Sequence, residues 1–335
     1  MNRPGKEQRG LSVRIFDMNW STVKNLLIAM LVAANIFLIY NISVQTRTKG
    51  YISTREVEDA AALLSERGLT VVTDGIPFKR LSSDVYESFF SDDYYVMTSE
   101  KLSMTSRASA RILPDGGMMI LSENGSSFEL YDNLGFIYHE NSNIDSKAYT
   151  DITAEKLLSG ATDFAELRKT RLTELSVIAR EFLTRTQKDD PYFGVRIDGG
   201  YQDPESGLSY VIATQMLDDL PVSGHQVVCV FEGSELRAVS GFWYFEKVGA
   251  GYNQELLDQI NVLFNDLTVL QSRFAEDGQS DGTLPDVVNV SACYSPNWNA
   301  ERTAIYFIPS WQIEHSDGTI IVYNAVNGGE YLSTR

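Results

Sequence analysis

The chain has 335 residues, 43% hydrophobic and 22% charged, a composition that excludes wholesale disorder and provides for at least one sizeable core. Asp and Glu outnumber Lys and Arg by 45 to 28, so the formal charge is −17. This argues against nucleic acid as a partner, because such binding depends on neutralising phosphates. The charge is uneven: residues 1–44 carry five bases and two acids, so a basic head precedes an acidic body.

Residues 21–44 predict a transmembrane helix, because the last 20 of them carry no charge and would cross a hydrocarbon core as a helix. Trp20 and Tyr40, near the two ends, suit the membrane interfaces, and the preceding bases place the N-terminus in the cytoplasm. A cleavable signal peptide is the competing interpretation, but the segment is long for one and no A-x-A-like site follows. We therefore expect a single-pass protein of the cell membrane, with residues 1–20 as a cytoplasmic tail and an extracellular C-terminal domain.

Asn35 lies near the middle of this predicted span. A carboxamide in hydrocarbon needs a hydrogen-bond partner, and contacts of this kind between helices contribute roughly 0.6–2 kcal/mol. One interpretation is a contact with the helix of another membrane protein. The other is a tolerated polar residue that bonds its own backbone, and the sequence leaves both open.

Residues 45–52 form a short polar linker to a first extracellular lobe, residues 53–150. Ser53 and Glu56 fit a capping box at the start of a helix that ends at Gly68. The pattern then predicts a strand at 69–73, a short helix at 85–90, and strands separated by Gly- and Asn-containing turns from 94 to 138.

A second extracellular lobe, residues 162–335, repeats one theme twice. A long helix at about 163–188 is followed by antiparallel strands, and a second long helix at about 253–274 is followed by more strands. The predicted fold class is therefore α+β: an N-terminal transmembrane helix, then antiparallel sheets each packed by long helices.

The search for chemistry finds three histidines, none of which shares a metal-ligand motif with Cys, Asp or Glu. His225 follows Ser223-Gly224 but lacks the partners of a catalytic triad. Adjacent acids such as Asp218-Asp219 suit turns better than a catalytic dyad, because neighbouring residues on a strand face opposite ways. We therefore expect no catalytic residue, no cofactor and no metal site, and a protein that is not an enzyme.

Cys229 and Cys293 could pair outside the membrane, but each lies in an apolar strand-like run, and two separate buried thiols are favoured. The aromatic run from Phe242 to Phe245 is either a strand buried on both faces or an interface that shows two of its rings. Under the second interpretation Trp243 is a candidate partner-binding residue, together with Trp20 and Asn35.

Several short motifs, in order along the chain, resemble one family. Residues 19–24 (NWSTVK) run into the apolar span, which contains Asn35-Ile36-Phe37-Leu38 and Tyr40. The later motifs are Leu217 to Ser223 (LDDLPVS), Cys293-Tyr294, Pro309 to Ile313 (PSWQI), Asp317-Gly318, Tyr323 to Ala325 and Gly328 to Glu330. These are similar to the YycI proteins of the YycH/YycI family, accessory regulators of the WalK/WalR two-component system of Gram-positive bacteria.

The resemblance implies a non-enzymatic, membrane-anchored regulator. Its partners would be a WalK-like sensor histidine kinase, a YycH-like accessory protein and the lipid bilayer, which one helix crosses. It would modulate the kinase through transmembrane and extracellular contacts, with Trp20, Asn35 and Tyr40 in the membrane part. Two other classes stay open: an extracellular ligand-binding sensor domain, marked by a partly polar pocket between the lobes, and a tethered cell-wall hydrolase.

Overall fold

The computed structural model describes residues 30–31, 50–81, 83–90, 93–114, 116–141, 152–160, 163–187, 190–276 and 283–334. The chain divides into two compact units, Met1–Ile52 and Ser53–Arg335, and the following description concerns the second. Among the described residues, no helix has both the length and the apolar character that crossing a membrane requires. The predicted span 21–44 lies outside the described residues except for Met30 and Leu31.

The second unit contains helices and strands that we number in chain order. The α-helices of the described residues are α1 (Thr54–Glu66), α2 (Tyr94–Ser103), α3 (Ala154–Leu158), α4 (Lys169–Leu183) and α5 (Gln259–Glu276). The strands are β1 (Tyr86–Phe89), β2 (Arg107–Ile112), β3 (Met118–Ser122), β4 (Ser127–Leu130), β5 (Gly135–His139), β6 (Ala165–Glu166), β7 (Phe193–Gln202), β8 (Ser209–Leu217), β9 (Leu220–Glu232), β10 (Glu235–Phe242), β11 (Val287–Trp298), β12 (Ala304–His315), β13 (Ile320–Asn324) and β14 (Glu330–Thr334).

The 14 strands of the described residues belong to one mixed, hydrogen-bonded sheet, whose main path runs β14-β13-β12-β11-β9-β10-β5-β4-β3-β2. The predicted α+β arrangement, with separate antiparallel sheets each packed by long helices, is therefore wrong. Two long-range pairings explain the difference. β10 pairs antiparallel with β5, and β9 meets β11 in a parallel bridge between Val222 and Tyr294. The boundaries of the two predicted lobes stay a prediction.

Helix α4 covers one face of the first group of strands, β7 to β10. Its residues Leu175, Ala179, Phe182 and Leu183 are buried and pack into a core that contains Val211, Val227 and other strand residues of the same face. The prediction of a helix here is confirmed, although α4 begins six residues later and ends five residues earlier than expected.

Helix α5 contacts β12 and β13 in the second group of strands, β11 to β14, and its buried face is partly polar. It buries Gln259 and Asp266 as well as Val262, Leu263 and Leu270. A helix was predicted in this region, and the structure confirms it with later bounds.

Three local predictions in the first lobe are wrong. The predicted strand 94–98 is the start of α2, because Tyr94, Thr98 and Leu102 recur at a helical spacing of four and bury one face. The predicted helix 85–90 instead forms β1, which pairs antiparallel with β12. The predicted strand 69–73 makes only an isolated bridge from Val71 to Val287.

Other local predictions are confirmed. Ser53 Oγ accepts a hydrogen bond from the Glu56 amide at 3.2 Å, and Glu56 accepts one from the Ser53 amide at 2.7 Å, which completes the capping box. Cys229 and Cys293 are both free and buried, and burial raises the pKa of each thiol to about 12. They are therefore small apolar core residues and not a disulfide.

Candidate functional site

One face of the sheet continues without a break across six strands. Val228 of β9 pairs with Ser240, Ser240 with Ile137, Ile137 with Glu129, and Glu129 with Met119 of β3. The row ends where Met119 pairs with an arginine of β2. Residues directly opposite each other on adjacent strands share a face, so these side chains form one surface.

A segment around α3 covers part of this surface. Leu157 of α3 is buried against Tyr210, Ile212, Val228 and Val230 of the neighbouring strands. The ring of Phe164 stacks on that of Tyr210, with the ring centroids 5.3 Å apart. The segment around α3 ends near β10, and beyond it the same face of the sheet lines an open cavity.

This cavity, which we call the sheet groove, has a volume of about 1090 Å³. Its lining residues are Tyr131, Asn133, Gly135, Phe136, Ile137, Ile152, Thr153, Ala154, Glu155, Gly224, Gln226, Val228, Ser240, Gly241, Phe242, Gly318 and Ile320. The floor is formed by β5, β9 and β10, and the walls come from the start of α3 and from the β12–β13 turn. The floor is mainly apolar, and Phe242 is the most exposed aromatic ring in it, at 42%.

Two glycines make room for the floor of the sheet groove. At Gly241, φ is +142°, and an added Cβ would lie 2.2 Å from the carbonyl oxygen of Gln226, so a side chain does not fit. At Gly135, an added Cβ would lie 2.9 Å from Asn133 Oδ1, which accepts a hydrogen bond from the Gly135 amide at 3.0 Å. The same Cβ would lie 3.5 Å from the ring of Phe242. The bare backbone at Gly135 therefore lets the Phe242 ring lie across β5.

Polar groups at one end of the sheet groove are held in a fixed network. Gln226 Nε2 donates to Asp198 Oδ2 at 3.3 Å and to Thr214 Oγ1 at 3.1 Å. Thr214 donates to the same carboxylate, and Arg196 forms an ion pair with it at 2.7 Å. The Gln226 side chain is therefore oriented in advance, and it offers hydrogen-bonding capacity beside an apolar floor.

The three histidines lie in separate environments. His225 Nδ1 lies 2.8 Å from Gln215 Oε1, and complete burial lowers the pKa of His225 to about 3, so the ring is neutral. Burial likewise lowers the pKa of His139, against an opposing effect of Glu129. His315 Nε2 lies 3.0 Å from Asp266 Oδ2 in the buried face of α5. The hydrogen-bond partner that the structure shows for His225 is therefore the neutral amide of Gln215.

Asp266 links α5 to two strands. Besides His315 of β12, it accepts a hydrogen bond from the hydroxyl of Tyr323 of β13 at 2.8 Å. Burial lowers the pKa of His315, but the hydrogen bond and charge of Asp266, together with the Thr319 carbonyl and the charge of Asp317, outweigh burial, and the net shift is upward. Burial and Asp266 both raise the pKa of Tyr323. This enclosed cluster does not line the sheet groove.

Of the four predicted partner-binding residues, the structure describes one, Trp243. Trp20, Asn35 and Tyr40 lie outside the described residues. Trp243 does not present a surface: it is 1% exposed and belongs to the core under α4. The chain leaves β10 after Phe242, so the alternation of a strand no longer applies and the next three aromatic side chains are all buried.

Asp218 and Asp219 form the β8–β9 turn, as predicted, with φ values of +47° and +64°. They lie between the paired residues Leu217 and Leu220, which makes a two-residue hairpin turn.

In the described part of the chain, no group of three or more His, Cys, Asp or Glu side chains is arranged to hold a metal ion. The sequence analysis did not predict the sheet groove. The local signals that could have indicated it are Gly135 and Gly241, where a side chain would collide with neighbouring atoms.

Comparison with known proteins gives little further information. No protein-family model matches the chain, and no curated protein matches it. A search of solved structures finds similarity to the crystal structure of an uncharacterized protein from Eubacterium rectale. The two are 11% identical over 79% of this chain and 89% of that chain, with a TM-score of 0.40.

Proposed function

We propose that this chain is a membrane-anchored, non-enzymatic regulator that binds a sensor histidine kinase and modulates its activity, and that the sheet groove is its contact surface outside the membrane. The proposal draws on the apolar span 21–44 and on the resemblance of the N- and C-terminal motifs to YycI proteins. A YycH-like protein would be a further partner. The anchor would keep the N-terminus in the cytoplasm and the second unit outside the cell.

The observation that carries the proposal is the shape and chemistry of the sheet groove. Its volume of about 1090 Å³ lies at or above the range of roughly 300–1,000 Å³ typical of small-molecule pockets. Phe242 and the apolar floor supply the buried centre that protein interfaces use, and Gln226 and Ser240 supply polar groups. A groove of this kind fits a segment of another protein.

Regulation then follows from differential binding. A sensor kinase exchanges between signalling states, and a partner shifts that equilibrium only by as much as its affinities for the states differ. Moving an equilibrium from 1:99 to 99:1 takes a difference of roughly 10⁴-fold in affinity. Contacts in the membrane, including Asn35, and contacts in the sheet groove would together supply the difference.

A second candidate function is an extracellular ligand-binding sensor. One observation favours it: the sheet groove is lined by residues of both predicted lobes, with Tyr131 and Ile137 from the first and Gln226 and Ile320 from the second. A partly polar pocket in this position is the feature that distinguishes a sensor domain from a protein-binding regulator.

The test is co-purification of the full chain from cells in mild detergent, with bound proteins identified by mass spectrometry. We expect a sensor kinase to be recovered with the natural chain and to be reduced by Phe242→Ser. Phe89→Ser is the matched control, because Phe89 is 69% exposed and lies outside the sheet groove. Asn35→Leu should also reduce recovery if the span makes a contact.

The outcomes separate the two candidates. Equal recovery of a kinase with Phe242→Ser and Phe89→Ser would remove the sheet groove from the regulator proposal, and recovery of no kinase would refute the proposal itself. Native mass spectrometry of the same preparations tests the sensor. A small-molecule adduct that the natural chain retains and Phe242→Ser loses would favour it.

A further inference from the structure

Strand β2 forms an outer edge of the sheet, and its side chains are exposed to solvent. It is the last strand of the main path, and among the residues that the structure describes it pairs on one side only, with β3. All six of its residues are exposed, and Ile112 is 78% exposed. Natural proteins commonly protect such edges with Pro, Lys, short strands or covering segments, because an open edge can pair with another chain. β2 contains neither Pro nor Lys; it carries two arginines and a register irregularity between Arg107 and Ser109, and its register with β3 is regular from Ser109 to Ile112.

The hydrogen-bond register shows which backbone groups face outward. The Leu113 amide donates to the carbonyl of Gly117 at 2.7 Å, and the register of β2 with β3 continues from this pair. Inward and outward groups alternate along an antiparallel strand. The N–H and C=O groups of Ser109 and Arg111 therefore point toward β3, and those of Ala110 and Ile112 point away from the sheet.

The edge is also basic within an acidic protein. The six residues of β2 include two bases, Arg107 and Arg111, and no acid, whereas the whole chain carries 45 acids and 28 bases. Glu100 accepts a hydrogen bond from the Arg107 amide at 3.3 Å, so the basic character is centred on Arg111. Arg111 lines a cavity of about 380 Å³ together with Ser109 and Met119. Its Nε contacts the sulfur of Met119 at 3.2 Å, a weak acceptor, so the guanidinium is available to a stronger one.

These observations select the chemistry of an added strand. Residues opposite Arg111 and Ser109 would share their face of the sheet, and an acidic side chain there would meet a guanidinium. Residues opposite Ala110 and Ile112 would lie on the other face, beside apolar side chains. A second copy of this chain fits less well, because the register that pairs Ala110 with Ile112 of the copy places two Arg111 side chains opposite each other.

We propose that the outer edge of β2 binds an extended segment of a partner protein, added as a further strand, in which acidic residues alternate with apolar or β-branched ones. Backbone pairing at Ala110 and Ile112 supplies the docking, and Arg111 selects the acidic residue. This surface is separate from the sheet groove, and the inference does not depend on the proposed function.

The test uses the full chain and a capped ten-residue peptide that alternates glutamate with valine or threonine. We expect the peptide to bind and to slow hydrogen exchange of the Ala110 and Ile112 amides. A peptide with lysine in place of glutamate should bind at least about fivefold more weakly. The absence of binding by the acidic peptide, or binding that leaves exchange at Ala110 and Ile112 unchanged, would overturn the proposal.

Methylated peptides test the backbone pairing separately from charge. If glutamate lies opposite Arg111, the amides of the valine and threonine residues face β2 and those of the glutamates face away. N-methylation of the valine and threonine amides should therefore abolish binding, and N-methylation of the glutamate amides should preserve it. Equal effects of the two modifications would refute strand addition.

Charge reversal at the edge completes the test. Arg111→Glu should weaken the acidic peptide at least about fivefold and favour the lysine peptide. Arg55→Glu is the control, because its side chain is 89% exposed on α1. Arg107→Glu is a second variant should Arg111→Glu alter the fold. An equal response of the edge and control variants, or exchange protection that rises with protein concentration without peptide, would contradict an acidic partner.

Discussion

The two helix-and-strand groups each bury one histidine, and they do so in opposite ways. In the first group, β7 to β10 under α4, His225 lies against the neutral amide of Gln215. In the second group, β11 to β14 with α5, His315 lies against the carboxylate of Asp266. Similar architecture therefore contains a histidine that stays neutral and one that favours its charged form.

The difference shows how the partner of a buried group sets its response to pH. Burial lowers the pKa of His225 to about 3, so the folded state resists protonation that the unfolded state accepts near pH 6.5. Stability from this site is therefore present above about pH 6.5 and is lost as the pH falls. The pKa of His315 is raised, so its contribution is present below about pH 6.5 and is lost as the pH rises through the folded-state pKa.

The largest effect is expected when the charged partner is removed from the second group. Asp266→Ala leaves His315 and Tyr323 without their shared acceptor and should lower the free energy of unfolding by about 3–5 kcal/mol. Denaturant unfolding of the full chain at several pH values measures it. The loss should be greatest below about pH 6.5 and should narrow as the pH rises.

A control for this prediction comes from the first group. Leu175→Ala removes apolar contacts from α4 and should cost about 2–5 kcal/mol by a similar amount at each pH, since no titrating group is involved. If Asp266→Ala cost less than about 1 kcal/mol, or if its effect were as independent of pH as that of Leu175→Ala, the contrast between the two groups would be wrong.

A smaller effect is expected from acid. Lowering the pH from 7.5 to 5 should cost the natural chain about 2 kcal/mol through His225, on the basis of a folded pKa of about 3 and an unfolded value of about 6.5. His225→Gln cannot take up this proton, so its stability should fall by that much less over the same interval. Urea unfolding at the two pH values gives the comparison, and identical losses in both proteins would exclude His225 as the cause.

The smallest effect concerns the turns of the two groups. The β12–β13 turn of the second group uses Gly318 at φ +84°, whereas the β8–β9 turn of the first uses Asp219 at φ +64°. Asp219→Gly gives the first turn the same backbone freedom and should stabilise the protein by about 0.5–1 kcal/mol, measured by thermal unfolding. Asp219→Ala should be neutral or destabilising, and stabilisation by both variants would point to charge and not backbone conformation.

The sequence predicts local structure best where one pattern dominates. Leu175 and Phe182 recur with the period of a helix, and α4 follows from them. The same reasoning fails at α2, because the strand propensity of Tyr94, Val96 and Thr98 competes with the helical spacing of Tyr94, Thr98 and Leu102, and packing against the sheet decides for the helix. Propensity is a weak guide wherever tertiary contacts bury one side of a short segment.

The sheet groove could not be predicted in this way. Its floor combines Ile137, Val228 and Phe242, which come together only through the pairing of β5 with β10. Nothing in the period of a single strand identifies its distant neighbour. The exposure of Phe242 and burial of Trp243 likewise depend on where β10 ends, and strand ends are the least certain part of a pattern-based assignment.

The pairing of β5 with β10 also has a consequence for how the chain folds. Strands β2 to β5 are neighbours in sequence, and so are β7 to β10, so each set can pair soon after its residues are available. Joining the two sets closes a loop of roughly 100 residues, which carries a large entropic cost before any contact repays it. We expect this step to follow pairing within each set, so that the edge of β5 stays unpaired until Glu235–Phe242 has folded against it.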